Sequence, residues 1–445
     1  MPSLEQWLAY QTRVHPQAID LGLDRLRLVL DRLGWLQPKV PVITIAGTNG
    51  KGSVSAYCSA IMAAAGHRVG TFTSPHLRDY RERIRVHDRL VGEAELVSAF
   101  ERIETARGEV GLTFFEFNTL AALLVFEAAR LDAWVLEIGM GGRLDAVNVV
   151  DPDAAVVVSI GFDHQEYLGA TIEAIASEKA GIFRQGRPAV LGSSDMPGIV
   201  EDIARTIGAP LKRLGNEYIY AREAAGWRFR GSRWNLMHLP PPALLGDMQY
   251  ANAATSIAAL EEIDARLTIP AEAVAQGLAR VHLPGRFQVI APADLEAPTW
   301  ILDVAHNPAA ARALARNLRD LKSDGRTLAV CGLLTDKDAS SVAAELRGCI
   351  DAWWCVTTDG DRGRSGESLA QTVESQVAVP VEAADSTAAG CAAALETAKP
   401  SDRILVFGSF HVVGPALDWL ESRGVLQAAT LPEYTAAPRA THVQG

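Results

Sequence analysis

No apolar run in the sequence reaches membrane-spanning length. The longest, such as 154–160, fall well short of the roughly 18 residues required, so no membrane partner is expected. A cysteine framework is missing as well. Cys58, Cys331, Cys349, Cys355 and Cys391 are odd in number and contain no CxxC pair. That sets aside a disulfide scaffold and a zinc cluster and points to reduced, mostly buried thiols in a cytoplasmic protein. The opening MPSLEQWLAYQTRVHPQAID mixes charges into its apolar positions and has no uninterrupted apolar core, so no secretory signal is read there. Positive charge is scarce: the formal net charge is -11, which weighs against a nucleic-acid partner. The densest basic run, Arg78 to Arg89 (RDYRERIRVHDR), places four arginines in its first eight residues. It suits either an anionic small molecule or a solvated charged face. Internal repeats and low-complexity tracts are also lacking.

What is present is a long alternation of strand and helix patterns. A chain of 445 residues at 48% hydrophobic is long for one core, and two domains are expected. An apolar strand at 41–46 runs into a glycine loop. Beyond it Val54, Tyr57, Cys58, Ile61 and Met62 fall on one face of a helix that Gly66 can end. A second strand at 68–73, a helix near 119–130, a strand at 133–138 and the nearly continuous apolar run 154–160 extend the βαβ pattern of a parallel sheet. Residues 1–290 are therefore read as a P-loop-containing, doubly wound α/β domain. It carries a small antiparallel insertion between Leu211 and Pro242, followed by a helix near 249–263. APADLEAP (291–298) reads as a linker. Strands at 300–304, 327–333, 352–358 and 403–408 then make 299–445 a smaller, Rossmann-like α/β domain, with a mobile tail after Pro432.

The glycine loop, GTNGKGS at 47–53, departs from GxxxxGK[ST]: Gly47 and Gly50 are too close, and Gly52 follows Lys51 where a hydroxyl is usual. Its context still suits phosphate. A loop between a buried strand and a helix offers backbone N–H groups and the positive end of the helix dipole, and Lys51 adds a point charge. A tight βα turn with a solvated lysine is the plain alternative. Bound triphosphate calls for a metal, whose oxygen-rich ligands should stand at strand ends on the same sheet edge. Ser74, Glu137 and His164 each follow or close a different strand. Taken singly they read equally as a helix cap, a surface carboxylate and a polar loop histidine. The segment Thr113-Phe114-Phe115-Glu116 supplies two rings and a carboxylate, suited to a flat heterocycle with an N–H edge or to an ordinary helix start.

In order along the chain, GTNGKGS with TSPHL, EIGMGGRLDAVN, GFDHQEYLG, EKAG, LPGRF and DVAHNP resemble the Mur ligase superfamily, and within it the folylpolyglutamate synthase and dihydrofolate synthase family, from about Leu4 to about Leu420. In that family the short loop is the normal form. The resemblance implies an ATP-dependent amide ligase: ATP converts a carboxylate to an acyl phosphate, and the amine of L-glutamate displaces phosphate. It implies that Gly50, Lys51, Gly52 and Ser53 hold the phosphates and that Ser74, Glu137 and His164 bind magnesium, two ions in all. It implies further that Asn252, Arg286 and Asp303 complete the ATP site, with His306 and Asn307 in the last strand-end loop. Lys179 matches a lysine that similar proteins carbamoylate, and with Lys51 and His164 it forms the implied catalytic set. Thr113, Phe114, Phe115 and Glu116, with Leu144, Asp145 and Ala146, match the dihydropteroate site of the bifunctional bacterial members. The implied partners are ATP, L-glutamate, dihydropteroate and reduced folates, and the implied state is a monomer.

Three other readings compete: a folylpolyglutamate synthase without the dihydrofolate activity, another Mur-type amino-acid ligase, and a P-loop kinase or nucleotide switch confined to the first domain. TFFEF and the short segment before the loop argue against a cell-wall ligase, and DVAHNP beyond the linker argues against the kinase. A non-catalytic binding protein would have no need of metal ligands at the strand ends.

Overall fold

A computed structural model describes residues 2–224, 226–291 and 297–426. Among them the strands form three sheets. The first holds β1 (Val42–Ala46), β2 (Val69–Phe72), β3 (Ile84–Val86), β4 (Arg89–Leu90), β5 (Ala133–Glu137), β6 (Ala154–Val157), β7 (Ala189–Leu191) and β8 (Leu211–Arg213). Their order is β4-β3-β2-β5-β1-β6-β7-β8. From β2 to β8 the neighbours are parallel, and β3 and β4 add an antiparallel edge.

The period-two pattern of the strands explains why both faces are covered. In β1, Val42 and Ala46 enter a core with the helices Glu93–Arg107 and Phe114–Ala129, while Ile43 and Ile45 enter a second core with Lys51–Ala64, Met248–Ile263 and Ala271–Arg280. β6 splits its residues between the same two cores. This is the doubly wound arrangement expected, and it brings the carboxyl ends of β1, β2, β5 and β6 to one edge.

The expected insertion is a three-stranded antiparallel sheet of β9 (Ile219–Glu223), β10 (Gly226–Arg230) and β11 (Asn235–Leu239). It starts later than the sequence suggested, because 211–213 pair parallel with β7 and extend the main sheet instead. Its Trp227 ring meets Tyr250 edge-on at 5.8 Å and fixes the sheet on the helix Met248–Ile263.

The C-terminal sheet contains β12 (Gln288–Ile290), β13 (Thr299–Asp303), β14 (Thr327–Cys331), β15 (Ala352–Val356), β16 (Val381–Ala384) and β17 (Arg403–Phe407) in the order β12-β13-β17-β14-β15-β16. β12 pairs antiparallel with β13, so three residues N-terminal to the expected linker join this sheet. The linker itself falls largely on 292–296, outside the described residues, as does the tail after Pro432. Cys58, Cys331, Cys355 and Cys391 are buried and Cys349 is half-buried, all of them free. Among the described residues no helix is long and apolar enough to cross a membrane.

Candidate active site

A cavity of about 810 Å³ opens where the two large sheets meet, a size usual for small-molecule sites. The glycine loop forms one end. β1 is fully buried and leads into Gly47, and Gly50, at φ 86°, begins the helix Lys51–Ala64. Only glycine fits position 50: a Cβ there would lie 2.8 Å from Asn252 Oδ1 and from Val158 Cγ1, on a backbone that L residues rarely adopt. The loop is strapped to the segment after β6, with Thr48 N donating to Ser159 O at 2.8 Å and Asn49 N to Ser159 Oγ at 3.0 Å. At Gly52 a Cβ would meet Arg286 Nη2 at an ordinary 3.5 Å. The missing side chain therefore leaves the helix N-terminus open beside that guanidinium.

Two ammonium groups converge on one carbonyl. Lys51 Nζ donates to Gly47 O at 3.1 Å, and Lys179 Nζ donates to the same oxygen at 3.2 Å. Among the described residues neither amine forms an ion pair. Burial, with the nearby charge of Lys51, lowers the Lys179 amine to about 7. Beside them Ser74, Glu137 and His164 line the same cavity. Glu137 ends β5, accepts from Ser74 N at 3.2 Å and has its pKa raised by burial, against the charge of Lys51. His164 stands in the left-handed region at φ 52°. Burial lowers it to about 4 despite Asp163, so its imidazole is neutral at pH 7 and keeps a lone pair. Hydroxyl, carboxylate and neutral imidazole together suit a hard divalent cation. No group of three or more His, Cys, Asp or Glu is assembled among the described residues, so a metal held here would draw its remaining ligands from phosphate and water.

The pterin-type residues form the other end. Thr113 caps the helix Phe114–Ala129 through a reciprocal box with Glu116, whose Oε2 accepts from Thr113 N at 2.8 Å. The same carboxylate accepts from Arg25 Nε at 2.8 and 2.9 Å. Glu116 is thus internally satisfied rather than aimed at a ligand. Phe115 lines the cavity, packed so tightly on Gly139 that a Cβ there would come within 2.5 Å of its ring. Phe114, expected as the second stacking ring, is not on the cavity wall; it lies behind the guanidinium of Arg83, 5.5 Å from its ring centre. Leu144, Asp145 and Ala146 complete this wall. Asp145 accepts from Met140 N at 2.8 Å and Val147 N at 3.0 Å, and burial raises its carboxyl to about 7.

The far wall combines the helix Met248–Ile263, which packs on the first sheet, with residues of the second large sheet. Asn252 is buried, donates to Gln249 Oε1 at 3.1 Å and faces Gly50. Arg286 stacks on Phe410 at 5.1 Å, and Asp303 accepts from Phe287 N and Ala305 N at 2.8 Å, which ties the turn bearing Arg286 to β13. Asp303 is therefore no helix cap; Asn307 caps that helix through Ala310 N at 2.9 Å. Asn307 and Asn49 exchange paired amide bonds at 3.0 and 3.1 Å between the two halves. Asp163 accepts from Lys337 at 2.6 Å and faces His306 at 3.4 Å. Burial would raise this carboxyl, but His306, His164 and Lys337 hold it well below the usual range.

Sequence reasoning missed several wall residues. Residues 18–22 line the cavity, tied down where Arg25 Nη1 reaches Asp20; nothing in their composition marks them. Tyr220 of the insertion and Lys337 also line it. The basic run divides: Arg78 pairs with Asp418 and Glu421, Arg81 with Asp79, and only Arg83 turns into the cavity.

Comparison with known proteins covers nearly the whole chain. The Mur ligase middle domain matches residues 45–207, and the Mur ligase glutamate ligase domain matches 285–410. The dihydrofolate synthase/folylpolyglutamate synthase of Escherichia coli (strain K12) is 42% identical over 420 residues, covering 94% of this chain and 96% of that one. A solved structure of E. coli FolC in complex with DHPP and ADP superposes with a TM-score of 0.89 at 42% identity, covering 95% of this chain and 99% of that chain. A bifunctional folylpolyglutamate synthase/dihydrofolate synthase with Mn, AMPPNP and L-glutamate bound gives 0.86 at 40% identity, covering 95% and 98%.

Proposed function

The chain belongs to the dihydrofolate synthase/folylpolyglutamate synthase family of Mur ligases, and from that membership we propose how its residues divide the work. It is an ATP-dependent ligase that joins L-glutamate in folate metabolism with the help of a divalent metal. Residues 50–53 cradle the phosphates, Lys51 neutralises the outermost, and Arg286 approaches from the other half. Ser74, Glu137 and His164 hold magnesium, as two ions, which when bound supplies positive charge between phosphates and carboxylate. Asn252 and Asp303 frame the nucleoside side. Thr113, Phe115, Glu116, Leu144, Asp145 and Ala146 shape the pterin end, with Phe114 in support.

A substrate carboxylate oxygen attacks the γ-phosphorus, the bond to the bridging oxygen breaks, and ADP leaves. The glutamate amine then attacks the acyl carbon, loses a proton and expels phosphate. Both reactants of the first step are anions, so cations and N–H dipoles fixed in place beforehand lower that barrier. The observation that carries the reading is the convergence of the Lys51 and Lys179 side chains on Gly47 O, with no ion pair of their own among the described residues, in one cavity with an aromatic, carboxylate-buttressed pocket. Closure of units taken as 1–290 and 299–445 would shield the acyl phosphate from water. Lys179 fits a carbamate: an amine near 7 is half neutral at that pH, and only the neutral form adds carbon dioxide. A cytoplasmic location accords with the free cysteines, and light scattering tests whether the protein is a monomer.

The deciding experiment is phosphate release by the purified protein with ATP, magnesium and L-glutamate, comparing dihydropteroate with reduced folates. Turnover with both is expected. Turnover with reduced folates alone would reduce the activity to tail extension, and turnover with neither would overturn the folate reading.

A further inference from the structure

Among the described residues Arg83 is a buried cation with no carboxylate in ion-pair contact, and Glu137 and Glu82 act on it only at longer range. It ends the short turn Tyr80–Arg83 ahead of β3 and is 8% exposed. Its Nε donates to His76 Nδ1 at 2.8 Å, and its guanidinium carbon stands 5.5 Å from the ring centre of Phe114. The nearest carboxylates are engaged elsewhere. Glu82 accepts from the backbone N–H groups of Leu77, Arg78 and Asp79 at 2.7, 3.0 and 2.9 Å. Glu137 accepts from Ser74 N. Among the described residues neither forms an ion pair with Arg83. A guanidinium N–H can only donate, so His76 Nδ1 accepts with its lone pair, and the imidazole aims the guanidinium without supplying an anion.

A buried guanidinium without a charged partner in contact is costly to the folded chain, and the fold accepts it beside a cavity. Arg83 lines that cavity with Ser74, Glu137, Lys51 and Phe115. It is backed by Phe114, next to the wall residue Phe115 of the pterin end, and lies within electrostatic reach of Glu137 at the phosphate end. Phosphate already has Lys51 and Arg286. The anion still unprovided for is the one that must sit between the aromatic pocket and the γ-phosphate.

We propose that Arg83 binds the carboxylate of the pterin-bearing substrate, the group that accepts phosphate. This rests on the functional reading above. A planar fork fixed by His76 and Phe114 matches a carboxylate in two parallel hydrogen bonds, orienting one oxygen toward the γ-phosphorus. It also separates the roles of the two ends: aromatic contacts select the ring, and Arg83 selects the acid.

The test compares binding of 7,8-dihydropteroate and of its primary carboxamide, by fluorescence titration, to the full-length wild type and to Arg83→Gln and Arg83→Lys. The wild type should prefer the carboxylate by about 10- to 100-fold, the range of a charge-assisted pair. Arg83→Gln should lose that preference while binding the carboxamide as before, with Arg83→Lys between them. Unchanged ADP affinity reports a folded variant. In turnover the KM for dihydropteroate should rise and the KM for L-glutamate should stay. Equal wild-type affinity for the two pterins overturns the assignment without any variant, and a shift confined to the glutamate KM overturns it in favour of the other carboxylate. Failure of the wild type to bind either pterin overturns the functional reading, and this inference with it.

Discussion

The two ends of the cavity are built on opposite electrostatic plans. At the phosphate end charges are left open: Lys51 and Lys179 share one carbonyl, Arg286 contacts a phenylalanine ring and its neighbour's carbonyl with no ion pair among the described residues, and Glu137 is buried with one backbone N–H. At the pterin end they are closed. Glu116 is held by Arg25 and its own cap, and Arg25 reaches on to Asp20. An open site must wait for a charged ligand and metal to complete it, and it costs the empty fold stability. A closed one supplies shape, and its charges stabilise the protein whether or not substrate is present.

The largest effect should come from opening the phosphate end further. Lys51→Ala removes the amine we propose meets the transferred phosphate and should lower phosphate release by about 10³-fold, in the range of losing one fixed donor to a developing charge. Circular dichroism and thermal melting should be nearly unchanged, because no ion pair is broken. Near-wild-type turnover would remove the loop from the mechanism.

Glu137→Gln and Glu116→Gln make the same chemical change at the two ends and should differ in sign. Glu137→Gln should cost about 100-fold in activity at fixed magnesium, yet the metal-free variant should melt higher than wild type at pH 7. Burial raises the Glu137 pKa, so the folded state holds its proton more tightly than the unfolded chain. Stability is lost as pH rises from the ordinary carboxylate range through the raised value. The variant's advantage should therefore vanish below about pH 4.5, where an unfolded glutamate also protonates. Glu116→Gln should destabilise by about 1–3 kcal/mol, since Arg25 loses its charged partner, and should raise the KM for dihydropteroate while leaving that for ATP. Melting curves of both variants across pH decide the matter. Shifts of the same sign would erase the distinction between open and closed ends.

The two plans were not equally legible in sequence. The open end is written in short contiguous signals at the ends of hydrophobic strands: GTNGKGS after β1, Ser74 after β2, Glu137 closing β5, His164 after β6. Strand periodicity alone brings these to one edge. The closed end depends on partners 91 residues apart, such as Arg25 and Glu116, which no local pattern joins. For the same reason residues 18–22 went unread, and Phe114 was taken for a stacking ring when it backs Arg83. Short strands failed differently: β7, β12 and β16 span three or four residues, too few for a periodic signal. The family resemblance supplied Asn252, Arg286 and Asp303, each of which otherwise reads as an ordinary cap or surface ion pair.

The smallest effect tests whether the open end is completed chemically as well as by ligands. The Lys179 amine titrates near 7 because burial and Lys51 disfavour its charge. Above that pH it is neutral; its nitrogen can then attack carbon dioxide and lose a proton, leaving an anionic carbamate beside Lys51. Below pH 7 the amine is protonated and cannot react. Turnover in buffer stripped of carbon dioxide should therefore fall at pH 8 and recover on adding bicarbonate, with no recovery at pH 6. The stripped enzyme should keep its ADP affinity, since Lys51 and the loop N–H groups are untouched. If the rate at pH 8 ignores bicarbonate, Lys179 acts as an amine, and the phosphate end stays a cluster of cations that only ATP and metal neutralise.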